Sequence, residues 1–207
     1  TDENFAGVIA QAQSLPACTE NIVKESTVGF HRTVILDKAG DIVNAVKAGQ
    51  ISQFFVIGGC DGSEPGRNYY SDYAQNAPED SFILTLGCGK FRIRNHDYGT
   101  HLGLPRFMDM GQCNDAYGAI QVAVALANAF ECSVNDLPLT IVLSWFEQKA
   151  VAVLLTLLAL DVKNIAVGPV PPAFITPNVF QVLQDKWGLK TIGTDGKADV
   201  EKIFATA

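Results

Sequence analysis

Gln53-Phe54-Phe55-Val56-Ile57-Gly58-Gly59-Cys60-Asp61-Gly62 decides the fold. Its apolar run is too short for a helix, is rich in aromatic and β-branched residues, and ends abruptly in glycines, which predicts a strand covered on both faces. Such strands belong to parallel sheets. Ser81-Phe82-Ile83-Leu84-Thr85-Leu86-Gly87-Cys88-Gly89-Lys90 repeats the device. Working outward, comparable runs occupy 33–37, 106–110, 140–145, 164–168 and 189–192, with helix-like stretches between them. The alternation predicts an α/β fold: a three-layer Rossmann-like domain whose mainly parallel central sheet is flanked by helices.

The helices carry boundary signals of their own. Asp37 precedes an Ile42, Val43, Val46 face closed by Gly49, and Thr176-Pro177 opens a helix that Gly188 ends. Asn114-Asp115 starts a helix over 116–130 whose many small residues predict close packing against the sheet or another helix. Residues 1–30 show no strand and weak periodicity. They are expected to be a lead-in from a preceding domain, with residues 31–207 forming the Rossmann-like domain, as if the chain were cut from something longer.

Composition narrows the function. At 207 residues, with 48% hydrophobic and 18% charged, the chain can bury a large core. Fifteen Lys+Arg against 22 Asp+Glu leave a net charge of −7, the wrong sign for binding nucleic acid or an anionic membrane surface. The most apolar run, 150–160, is about half the ~20 residues a bilayer requires. Five widely spaced cysteines suit a reducing compartment better than a disulfide framework, so a cytoplasmic location is expected.

Ligands of open α/β sheets bind beyond the carboxyl ends of the strands. Just past four of the predicted strands stand Cys60, Cys88, Cys113 and Glu147. Three thiols and a carboxylate sharing one edge would be held protonated unless a cation compensates their charge. Thiolates favour iron–sulfur, zinc or copper(I), and the carboxylate tilts the set toward iron. Glycines around Cys60 and Cys88 would let backbone approach a bulky cluster, and the helix after Cys113 would favour its thiolate. Lys149 is placed to pair with Glu147 or to donate a proton to a bound substrate. Each residue also has a plainer reading: packed small thiols, a helix-end carboxylate, a solvated lysine. Cys18 and Cys132 lie off the edge and are expected only to pack, and His96 and His101 to be solvated. No G-x-G-x-x-G fingerprint is present.

Gly-Gly-Cys-Asp-Gly at 58–62, Pro-Gly-Arg-Asn-Tyr-Tyr at 65–70, Leu-Gly-Cys-Gly-Lys at 86–90, Gly-Gln-Cys-Asn-Asp-Ala-Tyr at 111–117 and Ser-Trp-Phe-Glu-Gln-Lys-Ala at 144–150 together closely resemble the hybrid cluster (prismane, hydroxylamine reductase) family, relatives of the carbon monoxide dehydrogenases. The resemblance runs from about residue 25 to about residue 195. It implies a hybrid iron–sulfur–oxygen cluster of the 4Fe-2S-2O type. Cys60 matches a ligand carried as a persulfide, Cys88 and Cys113 match further cysteine ligands, Glu147 matches the glutamate ligand, and Lys149 matches a lysine beside the cluster. It further implies reduction of hydroxylamine to ammonia, a link to nitric oxide and nitrosative stress, and electrons from a partner reductase. The family's remaining His, Glu and Cys ligands belong to a middle region, and its second, 4Fe-4S-type cluster to an N-terminal region. Neither is matched here, so the resemblance is to a C-terminal domain that is inactive alone. Two other readings stand beside it: a non-catalytic packing or partner-binding module, and a simple zinc or cysteine-redox site.

Overall fold

The computed structural model describes residues 4–17, 25–60, 68–144 and 147–205. In chain order these form α1 Ala6–Ser14, α2 Arg32–Leu36, α3 Ala39–Lys47, β1 Gln53–Gly59, α4 Tyr69–Gln75, β2 Ser81–Leu86, α5 Lys90–Ile93, β3 Thr100–His101, β4 Leu104–Pro105, β5 Phe107–Asp109, α6 Ala116–Phe130, β6 Leu139–Ser144, α7 Gln148–Ala159, β7 Ala166–Gly168, α8 Pro177–Trp187, β8 Lys190–Thr191 and α9 Gly196–Ala205. Six strands make one sheet in the order β5-β2-β1-β6-β7-β8, and every pairing in it is parallel. β3 and β4 form a separate antiparallel hairpin.

Both faces of the sheet are covered, which is why its strands read as unbroken apolar runs. Phe54 of β1, Phe82 and Leu84 of β2 and Met108 of β5 pack on one face with α2, α3 and α6. On the same face, Ile141 and Leu143 of β6 and Val167 of β7 pack with α7. The alternate residues Phe55, Ile57, Ile83 and Val142 face the other way, onto Tyr70 and Tyr73 of α4, Ile93 of α5 and Val200 of α9. The period-2 alternation of strand side chains thus divides the core into the two halves of a three-layer α/β sandwich.

Two expectations, the 33–37 strand and a solvated His101, are corrected. The 33–37 run is α2, not a strand: the His31 side chain accepts from the Thr33 N–H at its start, and Ile35 is buried. A five-residue apolar run has no period of its own, so a cap and one inward side chain decide it. As expected, the small residues of α6 let it pack against other helices, Ala119, Ala123 and Ala127 joining Ile35 of α2 and Ile42 and Val43 of α3 in one cluster, although it does not lie flush with the sheet. An apolar cavity of about 490 Å³, lined among others by Val56, Leu84, Ala119, Ala123, Leu143 and Leu157, lies between α6, α7 and the strands. His101 pairs in β3, where its Nε2 lies 2.6 Å from the Gln50 carbonyl oxygen and its ring faces Phe82. His96 is exposed, as expected, with its Nε2 3.0 Å from Gln75 Nε2. The α8 expectation holds as drawn: the Thr176 hydroxyl caps it, Pro177 opens it, and Gly188 ends it at φ +65°. α1 buries none of its residues, and no described helix is long and apolar enough to cross a membrane.

Candidate metal centre

Strand order brings the predicted residues together. β5, β2, β1 and β6 are consecutive neighbours in the sheet, and the segments leaving their carboxyl ends carry Cys113, Cys88, Cys60 and Glu147. The side on which successive strands are added switches between β1 and β6, all strands staying parallel, so the segments carrying Cys60 and Glu147 flank the crevice where ligands of open α/β sheets bind.

A row of backbone hydrogen bonds joins these strand ends. The Gly87 N–H donates to the Gly111 carbonyl (3.0 Å), the Gly89 N–H to the Gly59 carbonyl (2.9 Å), and the Cys60 N–H to the Ser144 carbonyl (3.1 Å). The Ser144 hydroxyl donates in return to the Cys60 carbonyl. Such close approach needs glycine. Gly59 and Gly87, each immediately before a cysteine, have φ of +93° and +88°, and Gly111, two residues before Cys113, has φ +123°. A Cβ on Gly87 would stand 2.6 Å from the Gly59 carbonyl oxygen and 3.2 Å from Cys113 Sγ. Cys113 Sγ therefore lies against the backbone of the Cys88 loop.

The local electrostatics show which groups share a field. Burial pushes the Cys113 thiol up from its ordinary value; Cys88 and Glu147 push it the same way, and Lys149 pulls it down without prevailing. A backbone hydrogen bond at the start of the following helix also lowers it, but desolvation together with two neighbouring acidic groups outweighs these favourable contributions. Cys60 and Cys113 are buried and Cys88 is exposed. The Cys88 thiol faces Gln112 Oε1 at 4.0 Å. Glu147 is the exposed N-cap residue of α7, and Lys149 is exposed in its first turn. No ion pair joins Lys149 to Glu147 among the described residues, whereas the Lys149 ammonium does act on the Cys113 thiol.

Asp61 and Gly62, residues 65–67 of the 65–70 motif, Trp145, Phe146 and Cys18 lie outside the described residues. Cys132 packs at the edge of the core, as expected. Sequence reasoning missed the buried pair of Lys90 and Asp109, joined at 2.7 Å. Its signal was a carboxylate embedded in the apolar run Phe107-Met108-Asp109-Met110.

These features suit a polynuclear centre. Among the described residues no three Cys, His, Asp or Glu side chains close on a common point as the ligands of one ion must. The ligands of a cluster attach to different metal atoms and stand further apart. A rim of thiols on glycine-thinned backbone, with a thiol pushed up by burial and by its acidic neighbours, is the donor set a cationic cluster would neutralise.

Fold and rim together define a three-layer α/β domain of the doubly wound kind, presenting thiols and a carboxylate at the carboxyl edge of its sheet. The chain belongs to the Prismane/CO dehydrogenase family, whose profile matches residues 1–201. It is 58% identical over 203 residues to a hydroxylamine reductase of Moorella thermoacetica, covering 98% of this chain and 47% of that protein. A hydroxylamine reductase of Burkholderia ambifaria is 54% identical, again over 98% of this chain but only 36% of its own length. The chain thus spans less than half the length of these curated relatives. Among solved structures, the nickel-free carbon monoxide dehydrogenase of Thermococcus sp. AM4 superposes with a TM-score of 0.68 at 24% identity, over 86% of this chain and 32% of that one. That likeness speaks to the fold.

Proposed function

We propose that this chain is the C-terminal part of a hydroxylamine-reductase-type oxidoreductase, in which residues 31–207 form the cluster-binding domain and residues 1–30 lead in from a preceding one. Cys60, Cys88, Cys113 and Glu147 are its ligands to a hybrid iron–sulfur–oxygen cluster of the 4Fe-2S-2O type. The remaining ligands and a second iron–sulfur cluster come from the N-terminal and middle domains, so this chain alone does not turn over. The observation that carries the reading is the arrival of these four groups at the ends of four adjacent parallel strands, with Cys88, Glu147 and Lys149 all acting on the Cys113 thiol.

When bound, the cluster supplies the electrons that cleave the N–O bond. Hydroxylamine, two electrons and two protons give ammonia and water, with nitric oxide as another substrate of the same class and a partner reductase as the electron source. The thiols grip the cluster as thiolates, releasing protons as they do so. The glycines before them let the backbone approach without a Cβ in the way. Lys149, close enough to act on Cys113, is the proton donor to the departing oxygen, and Glu147 orients beside it. The ammonium also offsets part of the negative charge that three thiolates and a carboxylate create.

Anaerobic reconstitution of the full-length protein with ferrous iron and sulfide tests this. Visible absorbance and stoichiometric iron are expected, and Cys60→Ser, Cys88→Ser or Cys113→Ser should each reduce both. Lys149→Met should keep the absorbance while slowing hydroxylamine turnover by about 10²-fold or more, the usual share of a general acid. Spectra unaltered in all three serine variants would refute the ligand assignment.

A further inference from the structure

Lys90 and Asp109 have no place in the ligand set, yet they are among the most buried charged residues of the chain, at 5% and 1% exposure. Lys90 Nζ donates to Asp109 Oδ1 at 2.7 Å and to the Gly111 carbonyl at 2.9 Å. Asp109 Oδ1 also accepts from the Gly111 N–H at 2.9 Å. Gly111 is therefore held at both its donor and its acceptor, in the φ +123° conformation from which the chain turns toward Cys113. Its carbonyl is the same oxygen that accepts from the Gly87 N–H. Lys90 lies two residues after Cys88, and Asp109 and Gly111 lie four and two before Cys113. One side-chain pair thus clamps the Cys88 loop to the Cys113 loop.

Stability is a poor reason for such a pair. Desolvating two charges costs about what their attraction returns, and apolar replacements of similar volume are commonly neutral or better. Here the balance is worse than usual, because Asp109 Oδ2 is buried with no hydrogen-bond partner. What an ion pair with three directional hydrogen bonds supplies, and an apolar pair does not, is a fixed angle and separation between the loops it joins.

We propose that Lys90 and Asp109 are positioning residues that set the separation of the Cys88 and Cys113 thiols for metal capture. The purpose assigned to that separation rests on the reading of the two cysteines as ligands; the separation itself is measurable without metal. With Cys18, Cys60 and Cys132 changed to Ser, the metal-free chain keeps only this pair of thiols, and dibromobimane fluoresces fully only when its two arms bridge both.

Lys90→Met should lower the bridging rate about tenfold, since two reacting groups held in a set geometry lose at least that much when it loosens. Asp109→Asn keeps an acceptor oxygen for Lys90 and for the Gly111 N–H and should stay within about twofold of the parent on the same argument. The double change Lys90→Met with Asp109→Leu should recover the melting temperature lost in Lys90→Met without recovering the bridging rate. In the full-length protein with its native cysteines, the same double variant should retain less iron after gel filtration than wild type. Unchanged bridging in Lys90→Met, or a double variant that recovers melting temperature, bridging and iron together, would overturn the proposal. A wild-type protein that takes up no iron overturns the ligand reading instead, and leaves the bridging result to decide whether the pair sets the spacing.

Discussion

Replacing Gly87 by alanine probes the closeness of the rim loops directly. Two costs add. At φ +88° a side chain is strained by about 1–2 kcal/mol. The new Cβ would also stand 2.6 Å from the Gly59 carbonyl oxygen, 3.1 Å from the Gly59 nitrogen and 3.2 Å from Cys113 Sγ. Backbone cannot rotate away as a side chain can, so overpacking adds about 1–3 kcal/mol. The total, about 2–5 kcal/mol, is a large fraction of the 5–15 kcal/mol that holds a typical domain. For a chain of this size it corresponds to a fall in melting temperature of about 5–20 °C. Gly103→Ala is the matched control: its φ is +74°, but nothing lies within 4 Å of the added carbon. It carries the conformational cost alone, about 1 kcal/mol or somewhat more. Thermal unfolding of the two variants followed by circular dichroism isolates the contact. Equal shifts would mean that the β1 and β2 loops are not pressed together as described, and the account of the rim would fail with them.

Other perturbations test neighbouring parts of the argument. Lys149→Met should push the Cys113 thiol further up, because it removes the one neighbouring charge that lowers it, and Glu147→Gln should bring it down; alkylation of Cys113 at pH 8 should slow in the first and quicken in the second, and the reverse order would refute the shared field. Arg106 is buried and its guanidinium donates to the Ser81, Tyr98, Ala77 and Pro78 carbonyls. Arg106→Met should cost at least about 3 kcal/mol in urea unfolding, taking about 1–3 kcal/mol for each buried carbonyl left unpaired, and a loss below about 1 kcal/mol would contradict that accounting. At Asp199, partial burial would raise the carboxyl pKa, but hydrogen bonds from Lys202, the Gly193 N–H and the Tyr69 hydroxyl outweigh it and hold the value below the ordinary one. Its stabilising contribution is therefore present above the unfolded value of about 3.9 and lost as pH falls through the folded one. Asp199→Asn should narrow the gap between melting temperatures at pH 6 and pH 3, and an unchanged gap would refute the assignment.

Much of the architecture could be read from residue patterns, for reasons specific to each element. Strands buried on both faces announce themselves, so β1, β2 and β6 were visible as apolar runs, and the cysteines and Glu147 could be assigned to one edge before any strand order was known. That order, which makes the four carriers consecutive, depends on long-range pairing that no local window records. α2 was misread because Thr33, Val34 and Ile35 favour a strand by propensity while a capping histidine and a single buried face make a helical turn. The β3–β4 hairpin escaped notice, although Leu102 and Gly103, at φ of +52° and +74°, form the left-handed pair that tight hairpins demand. The Lys90–Asp109 pair was hidden for a different reason. A charged residue in sequence looks solvated until its partner is known, and this partner lies 19 positions away.

The order in which the strands join the sheet also has a bearing on biosynthesis. A ribosome releases Cys60, Cys88 and Cys113 in that sequence, and each new sulfur is added outward on the same flank of the first strand. The carboxylate emerges last and takes the opposite flank, after the chain has doubled back through its fifteen-residue α6 helix. On the proposed ligand set, a nascent polypeptide exposes these three soft donors well before the hard one arrives, an interval in which scavenging of the wrong ion by half-made protein is hardest to prevent.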